Sequence, residues 1–150
     1  LKELNDYHSI LLSPGPGIPN ESGLLKTVIR HYAPSKKILG ICLGQQAIGE
    51  VFGGTLINLK KVYHGIATPI KIIKEDYLFK NLPETFNVGR YHSWVVDTPL
   101  PKDLVATSFD EEGQLMSLRH IEYDVRAVQY HPESILTPYG KRILENWINS

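Results

Sequence analysis

Lys37-Ile38-Leu39-Gly40-Ile41-Cys42-Leu43-Gly44-Gln45-Gln46 is the stretch from which the fold can be read. An apolar run ends at a small-residue turn, and a helical pattern follows from Leu43 through Phe52. Strand, sharp turn and helix form the context of a nucleophile elbow, in which flanking glycines let one side chain stand on a strained bend. Cys42 occupies that bend and is the chain's single cysteine. A helix beginning just after it sets a positive dipole end beside the sulfur, which predicts a thiolate-favouring environment. A buried free cysteine is the bland alternative; the glycine spacing argues for the nucleophile.

Working outward, the elbow sits in an alternating pattern. Ser9-Ile10-Leu11-Leu12 reads as a buried strand that stops at the stiff loop Ser13-Pro14-Gly15-Pro16-Gly17-Ile18-Pro19. From Glu21 to Tyr32, the stripe Leu24, Leu25, Val28, Ile29, Tyr32 predicts an amphipathic helix that Pro34 ends. The helix after the elbow closes at Gly53-Gly54. Strand–helix–strand–helix implies an α/β protein with a parallel sheet. From Thr55 the texture changes to short β-like runs: 55–59, 66–73, 86–91, 94–96, 104–109 and 115–118. A further strand, 125–130, delivers His131-Pro132-Glu133, and Thr137-Pro138 predicts the start of a last helix with Ile143, Leu144, Trp147 and Ile148 on its apolar face. No repeat, linker or low-complexity tract interrupts the chain, so one domain is expected over residues 1–150.

Composition narrows the function classes. The chain has 150 residues, 42% of them apolar, with sixteen acidic and sixteen basic side chains and no basic run. That balance argues against nucleic acid as a partner. No stretch approaches the ~18 apolar residues of a membrane helix, so no membrane association is expected. One cysteine excludes an internal disulfide framework and suggests a reducing cytoplasm. The chain opens on Leu1 rather than methionine, the expectation being a fragment, a processed form or an incomplete sequence.

A thiol nucleophile needs a base that takes its proton and later protonates a leaving group. His131 suits this role, because it ends a strand and ligands gather at the carboxyl ends of strands in open α/β sheets. Pro132 keeps His131 extended, and residues i and i+2 of an extended segment project to one side. Glu133 is then placed to hold one ring nitrogen while the other faces the sulfur. A developing oxyanion needs donors; the Leu43 backbone supplies one and a glycine of the 13–19 loop, best Gly15, the other, unless that loop is a plain connection. The six histidines, His8, His31, His64, His92, His120 and His131, show no paired ligand spacing, so no metal site is expected.

Ser13-Pro14-Gly15-Pro16-Gly17, Gly40-Ile41-Cys42-Leu43-Gly44-Gln45-Gln46 and His131-Pro132-Glu133-Ser134, in this order, resemble class I (triad-type) glutamine amidotransferases. Val62-Tyr63-His64-Gly65 and Arg90-Tyr91-His92-Ser93 are similar to the glutaminase subunits (component II) of anthranilate synthase and aminodeoxychorismate (para-aminobenzoate) synthase. The resemblance implies a flavodoxin-like open sheet, mostly parallel, with helices on both faces and a small antiparallel β addition. It implies that L-glutamine is hydrolysed and that ammonia passes to a chorismate-binding synthase subunit (component I), in the tryptophan branch first and the folate branch second. Carried over residue by residue, Cys42 forms the thioester, His131 acts as base then acid, and Glu133 orients it. Gly15, Pro16 and Gly17, with Leu43, line the substrate and oxyanion site. Gln46 contacts the glutamine, and the backbone at Ser93 and Trp94 holds its α-amino and carboxylate end. No cofactor is implied in this subunit, magnesium belonging to the partner synthase.

Two departures stand out. Such subunits begin with a strand and helix carrying an Asp-Asn-x-Asp-Ser-Phe-Thr pattern, which this chain lacks, and many have lysine where Ile66 stands. Two other classes compete: a stand-alone thiol hydrolase of the dienelactone-hydrolase or γ-glutamyl-hydrolase kind, and a non-catalytic module, which would be expected to have lost a triad member.

Overall fold

The computed structural model describes residues 1–15, 19 and 23–150. Its twelve principal elements are β1 (Ser9–Leu12), α1 (Leu25–Tyr32), β2 (Lys37–Ile41), α2 (Leu43–Val51), β3 (Leu56–Asn58), β4 (Ile66–Ile72), β5 (Thr85–Arg90), β6 (Trp94–Val96), β7 (Leu104–Asp110), β8 (Leu115–His120), β9 (Val125–Val128) and α3 (Gly140–Ile148). Seven strands form one sheet in the order β1-β2-β9-β8-β7-β4-β5, and β3 pairs with β6 in a separate ribbon.

The architecture is α/β with a mixed sheet. β1, β2 and β9 are parallel, and the strands from β8 to β5 continue the sheet antiparallel. Period-two alternation sends successive side chains of β2 to opposite faces. Ile38 joins Ile29 and Tyr32 of α1 and Ala47 and Ile48 of α2 in one core. Leu39 and Ile41 join Ile143 and Trp147 of α3 in the other, so helices cover both faces.

Gly40 explains how closely α2 lies on β2. A Cβ there would stand 2.7 Å from the Gly44 carbonyl carbon and 2.7 Å from Ile48 Cδ1. Gly44 is pressed on β1 in the same way, 2.7 Å from Leu12 O. The small residues around Cys42 thus serve the close packing of a helix on two strands as well as the bend.

Three expectations change. β1 is an edge strand in the described sheet, with Ile10 and Leu12 buried but Leu11 44% exposed, because only one of its faces is covered by helix. In α1 the expected stripe holds at Leu25, Val28, Ile29 and Tyr32, whereas Leu24 precedes the helix and is exposed; residues 20–22 lie outside the described segment. The last helix begins at Gly140 rather than Thr137. The Thr137 hydroxyl is committed elsewhere, donating to His131 O at 2.7 Å and accepting from the Gly89 N–H at 2.8 Å. Gly140 meets Pro132 so closely that a Cβ would sit 1.8 Å from its carbonyl oxygen. Ile143 and Trp147 of α3 are buried and Leu144 packs beside them, but Ile148 points outward.

The sheet curls. β5 ends the hydrogen-bonded order, yet its Gly89 carbonyl accepts from the His131 N–H at 3.0 Å, just beyond β9. The strand predicted over 125–130 spans Val125–Val128; the Gln129 N–H still donates to Met116 O of β8 at 2.8 Å, and by His131 the chain has turned across to β5.

Candidate active site

Cys42 sits on the bend between β2 and α2 with φ 54° and ψ −101°. Few L-residues adopt that conformation, and strain of this kind concentrates at reactive positions. Its own N–H donates to Val128 O at 2.8 Å, so the elbow is stitched to the end of β9, the strand that leads to His131. The register Ile41↔Val128 brings the ends of β2 and β9 side by side.

His131 and Glu133 meet, but through a turn and not through the expected extended segment: the Ser134 N–H donates to His131 O at 3.1 Å. Nδ1 of His131 lies 2.6 Å from Glu133 Oε2. His131 Nε2 is buried and has no hydrogen-bond partner among the described residues. No hydrogen bond therefore joins His131 to the sulfur; such contacts commonly tighten only around substrate. The Tyr91 ring stands edge-on to the imidazole at 4.7 Å, and its hydroxyl is 3.0 Å from Ser134 Oγ.

The resting thiol differs from the sequence expectation. Burial pushes Cys42 up to about 11, with the Leu43 N–H and the Gln129 amide pulling the other way and the Glu133 carboxylate adding to the rise. Desolvation outweighs the helix end, so the sulfur is a thiol until a base engages it.

A hollow of about 220 Å³ opens beside Cys42, lined by Gly15, Leu43, Gln46, Val62, Tyr63, His64, Tyr91, His92, Ser93 and Trp94. Gly15 thus reaches the site, close against Leu43, with only 3.3 Å between an added Cβ and Leu43 Cδ2. Pro16 and Gly17 lie outside the described residues. Gln46 is 3% exposed; its Nε2 donates to Trp94 O at 2.9 Å and to Gln129 Oε1 at 3.3 Å. Ser93 O accepts from the Leu59 N–H, and Trp94 O also contacts His92 Nδ1 at 3.0 Å. A carbonyl oxygen has two lone pairs, so Trp94 O is filled, whereas Ser93 O accepts a single hydrogen bond among the described residues. A larger hollow, about 770 Å³ and lined by residues between Ile72 and Glu84, holds none of the expected site residues.

Behind the hollow is a buried cation that sequence reasoning missed. Arg90 is 1% exposed and pairs with Asp110 Oδ2 at 2.7 Å and Gln114 Oε1 at 2.8 Å. Its Nε donates to His92 Nε2 at 3.1 Å, and its guanidinium covers the Tyr63 ring at 3.6 Å. Because Nε2 accepts, the His92 proton resides on Nδ1 and goes to Trp94 O. Burial first, and then the Arg90 charge, lower His92 to about 4, so it is neutral near pH 7. Gln129, fully buried, was also missed: its Nε2 donates to Cys42 Sγ at 3.4 Å. Neither carries a clear sequence signal, since other polar residues, Asn87 and Arg126, stand close by in the same strands.

Among the described residues, no group of three or more His, Cys, Asp or Glu side chains is placed to hold a metal ion. None of the described helices is long and apolar enough to cross a membrane.

Comparison with known proteins agrees with this geometry. The chain matches the family "Glutamine amidotransferase class-I" over residues 1–150. It is 43% identical to aminodeoxychorismate synthase component 2 of Escherichia coli over 141 residues, covering 93% of this chain and 75% of that protein. It is 41% identical to anthranilate synthase component 2 of Porphyra purpurea over 152 residues, covering 100% of this chain and 79% of that protein. A crystal structure from Thermoplasma acidophilum, described as that of a candidate GMP synthase subunit, superposes with a TM-score of 0.88 at 28% identity, covering 99% of this chain and 74% of that one. Elbow, curled sheet and sequence relatives converge: the chain belongs to the class I glutamine amidotransferases.

Proposed function

We propose that the chain is a glutaminase subunit that releases ammonia from L-glutamine for a chorismate-using synthase. The observation that carries this is the Cys42 elbow stitched to the end of β9, the strand that leads to the His131–Glu133 pair, beside a hollow of amino-acid size. Its 220 Å³ lies below the ~300–1,000 Å³ typical of sites for drug-sized ligands.

In the proposed reaction, His131 Nε2 takes the Cys42 proton as the sulfur attacks the glutamine carboxamide carbon. The negative oxygen that forms is met by the Leu43 N–H, with Gly15 on the rim. Collapse breaks the C–N bond, and the proton on His131 leaves with the ammonia. Water, deprotonated by the same imidazole, cleaves the thioester to glutamate and restores the thiol. Glu133 holds Nδ1 throughout. The substrate α-amino group is assigned to the remaining lone pair of Ser93 O, and its carboxylate to backbone donors near Trp94. Gln46, with both Nε2 hydrogens engaged internally, faces substrate as an acceptor through Oε1.

The partner is assigned as component I of anthranilate synthase. Relatives named for aminodeoxychorismate synthase match as closely, which makes that enzyme the second reading. The reading requires no cofactor in this subunit, leaves magnesium to the synthase, and places the free thiol in the reducing cytoplasm.

The test is reconstitution with each component I. Cys42→Ser and His131→Ala are expected to abolish glutamine-dependent synthesis while synthesis from ammonium salts continues. Normal glutamine turnover by either variant would refute the triad, and failure with both synthases would refute the partner class.

A further inference from the structure

We propose that Gln129 is a positioning residue for thiol activation, holding Cys42 as the better-supported thiolate during attack. This rests on Cys42 being the nucleophile.

The direction of the Gln129 carboxamide is fixed by its surroundings. Its Oε1 accepts from Gln46 Nε2 at 3.3 Å, and Gln46 Nε2 is itself anchored on Trp94 O at 2.9 Å. Turning the Gln129 amide over would set two NH2 groups against each other and aim a carbonyl oxygen at the sulfur. The fixed orientation leaves an N–H pointing at Cys42 Sγ, 3.4 Å away. Among the described residues it is the one side-chain hydrogen bond made to that sulfur, and the side chain is 0% exposed. A donor strengthens as its acceptor gains charge, so the contact favours the thiolate that His131 creates over the thiol that precedes it.

The same contact ties substrate recognition to activation. Gln46 is a lining residue of the hollow, and a ligand drawing on its Oε1 polarises the hydrogens it gives to Gln129. The titratable groups facing Cys42 are His131 and Glu133 beyond β9, His92 ahead of β6, and Tyr63, His64 and Tyr91, which line the same hollow. His92 is neutral above about pH 5, given its value of about 4.

Cys42 is the only cysteine, so alkylation by iodoacetamide reports a single site. The rate is measured against pH for the parent chain, Gln129→Met and Gln129→Glu, with circular dichroism confirming the fold. The expected upward move of the profile in Gln129→Met is about one pH unit, and at pH 8 the rate falls roughly threefold, because tenfold less thiolate is partly offset by a more basic sulfur. Gln129→Glu moves further, since its carboxylate repels the thiolate. With the synthase present, kcat falls by a larger factor than KM for glutamine rises, because Trp94 O still anchors Gln46. A folded Gln129→Met with an unmoved profile overturns the proposal. If neither variant folds, Gln46→Leu decides: it unlocks the Gln129 amide and is expected to move the profile less but in the same direction, and no movement overturns the proposal. Unmoved profiles with glutamine turnover intact reject the positioning role alone, whereas a parent chain inert toward glutamine with both synthases rejects the glutaminase reading.

Discussion

Replacing Cys42 by glycine is expected to give a more stable protein than replacing it by alanine, the reverse of the usual order. At an ordinary buried position, alanine is favoured by ~0.5–1 kcal/mol of backbone entropy and by up to ~0.8 kcal/mol for its buried methyl. Here the backbone stands at φ 54°, ψ −101°, outside the left-handed helical basin as well as the common ones. Strain of that order is ~2–3 kcal/mol for a residue with a Cβ, and alanine retains all of it. Cys42→Gly removes it and should lead Cys42→Ala by about 1 kcal/mol, or ~2–4 °C in Tm for a chain of this size. Both variants lack the thiol, so the comparison isolates the backbone. Urea denaturation and thermal melts of the pair, read by circular dichroism, supply the measurement. A Cys42→Ala variant as stable as Cys42→Gly, or more so, would show that the bend stores no strain.

Two further outcomes follow from other positions. Gly40→Ala places a methyl 2.7 Å from the Gly44 carbonyl carbon. Overpacking of ~1–3 kcal/mol is expected, and because α2 must shift, alkylation of Cys42 should slow; unchanged melting and labelling would contradict the packing. His92 sets a pH dependence of stability. Its folded value of about 4 is below the ordinary 6.5, so on acidification the unfolded chain takes up the proton first. The contribution is complete above pH 6.5 and is lost between about 6.5 and 4, amounting to at most ~3 kcal/mol. Equilibrium unfolding at stepped pH should show this slope, and His92→Asn should flatten it.

Much of the site was legible because its chemistry is local in sequence. The elbow needs glycine on both sides of Cys42, and the His131–Glu133 pair is only two residues apart, although a turn and not an extended segment brings it together. What stayed hidden depends on chain segments far apart. Arg90 reads as a surface residue until Asp110, Gln114 and Tyr63 close around it, and Gln129 reads as a strand position until Gln46 and Cys42 flank it. The start of the last helix was misplaced because Thr137-Pro138 is a sound helix opening in isolation. Its hydroxyl is worth more bridging His131 O and Gly89 N, an arrangement set by the curl of the sheet. The raised thiol was likewise invisible, since a helix end can be read from sequence and the depth of burial cannot.

The pairing of β2 with β9 bears on when reactivity arises during folding. These strands adjoin in space, but all the antiparallel strands lie between them along the chain. Contacts so remote in sequence carry a large loop-closure penalty and tend to form slowly. The sulfur and the imidazole therefore come together only when β9 docks, after the intervening strands have been laid out. A nascent or half-assembled chain carries a cysteine that has not yet met its base, and glutamine is not wasted on a protein that has yet to finish its sheet.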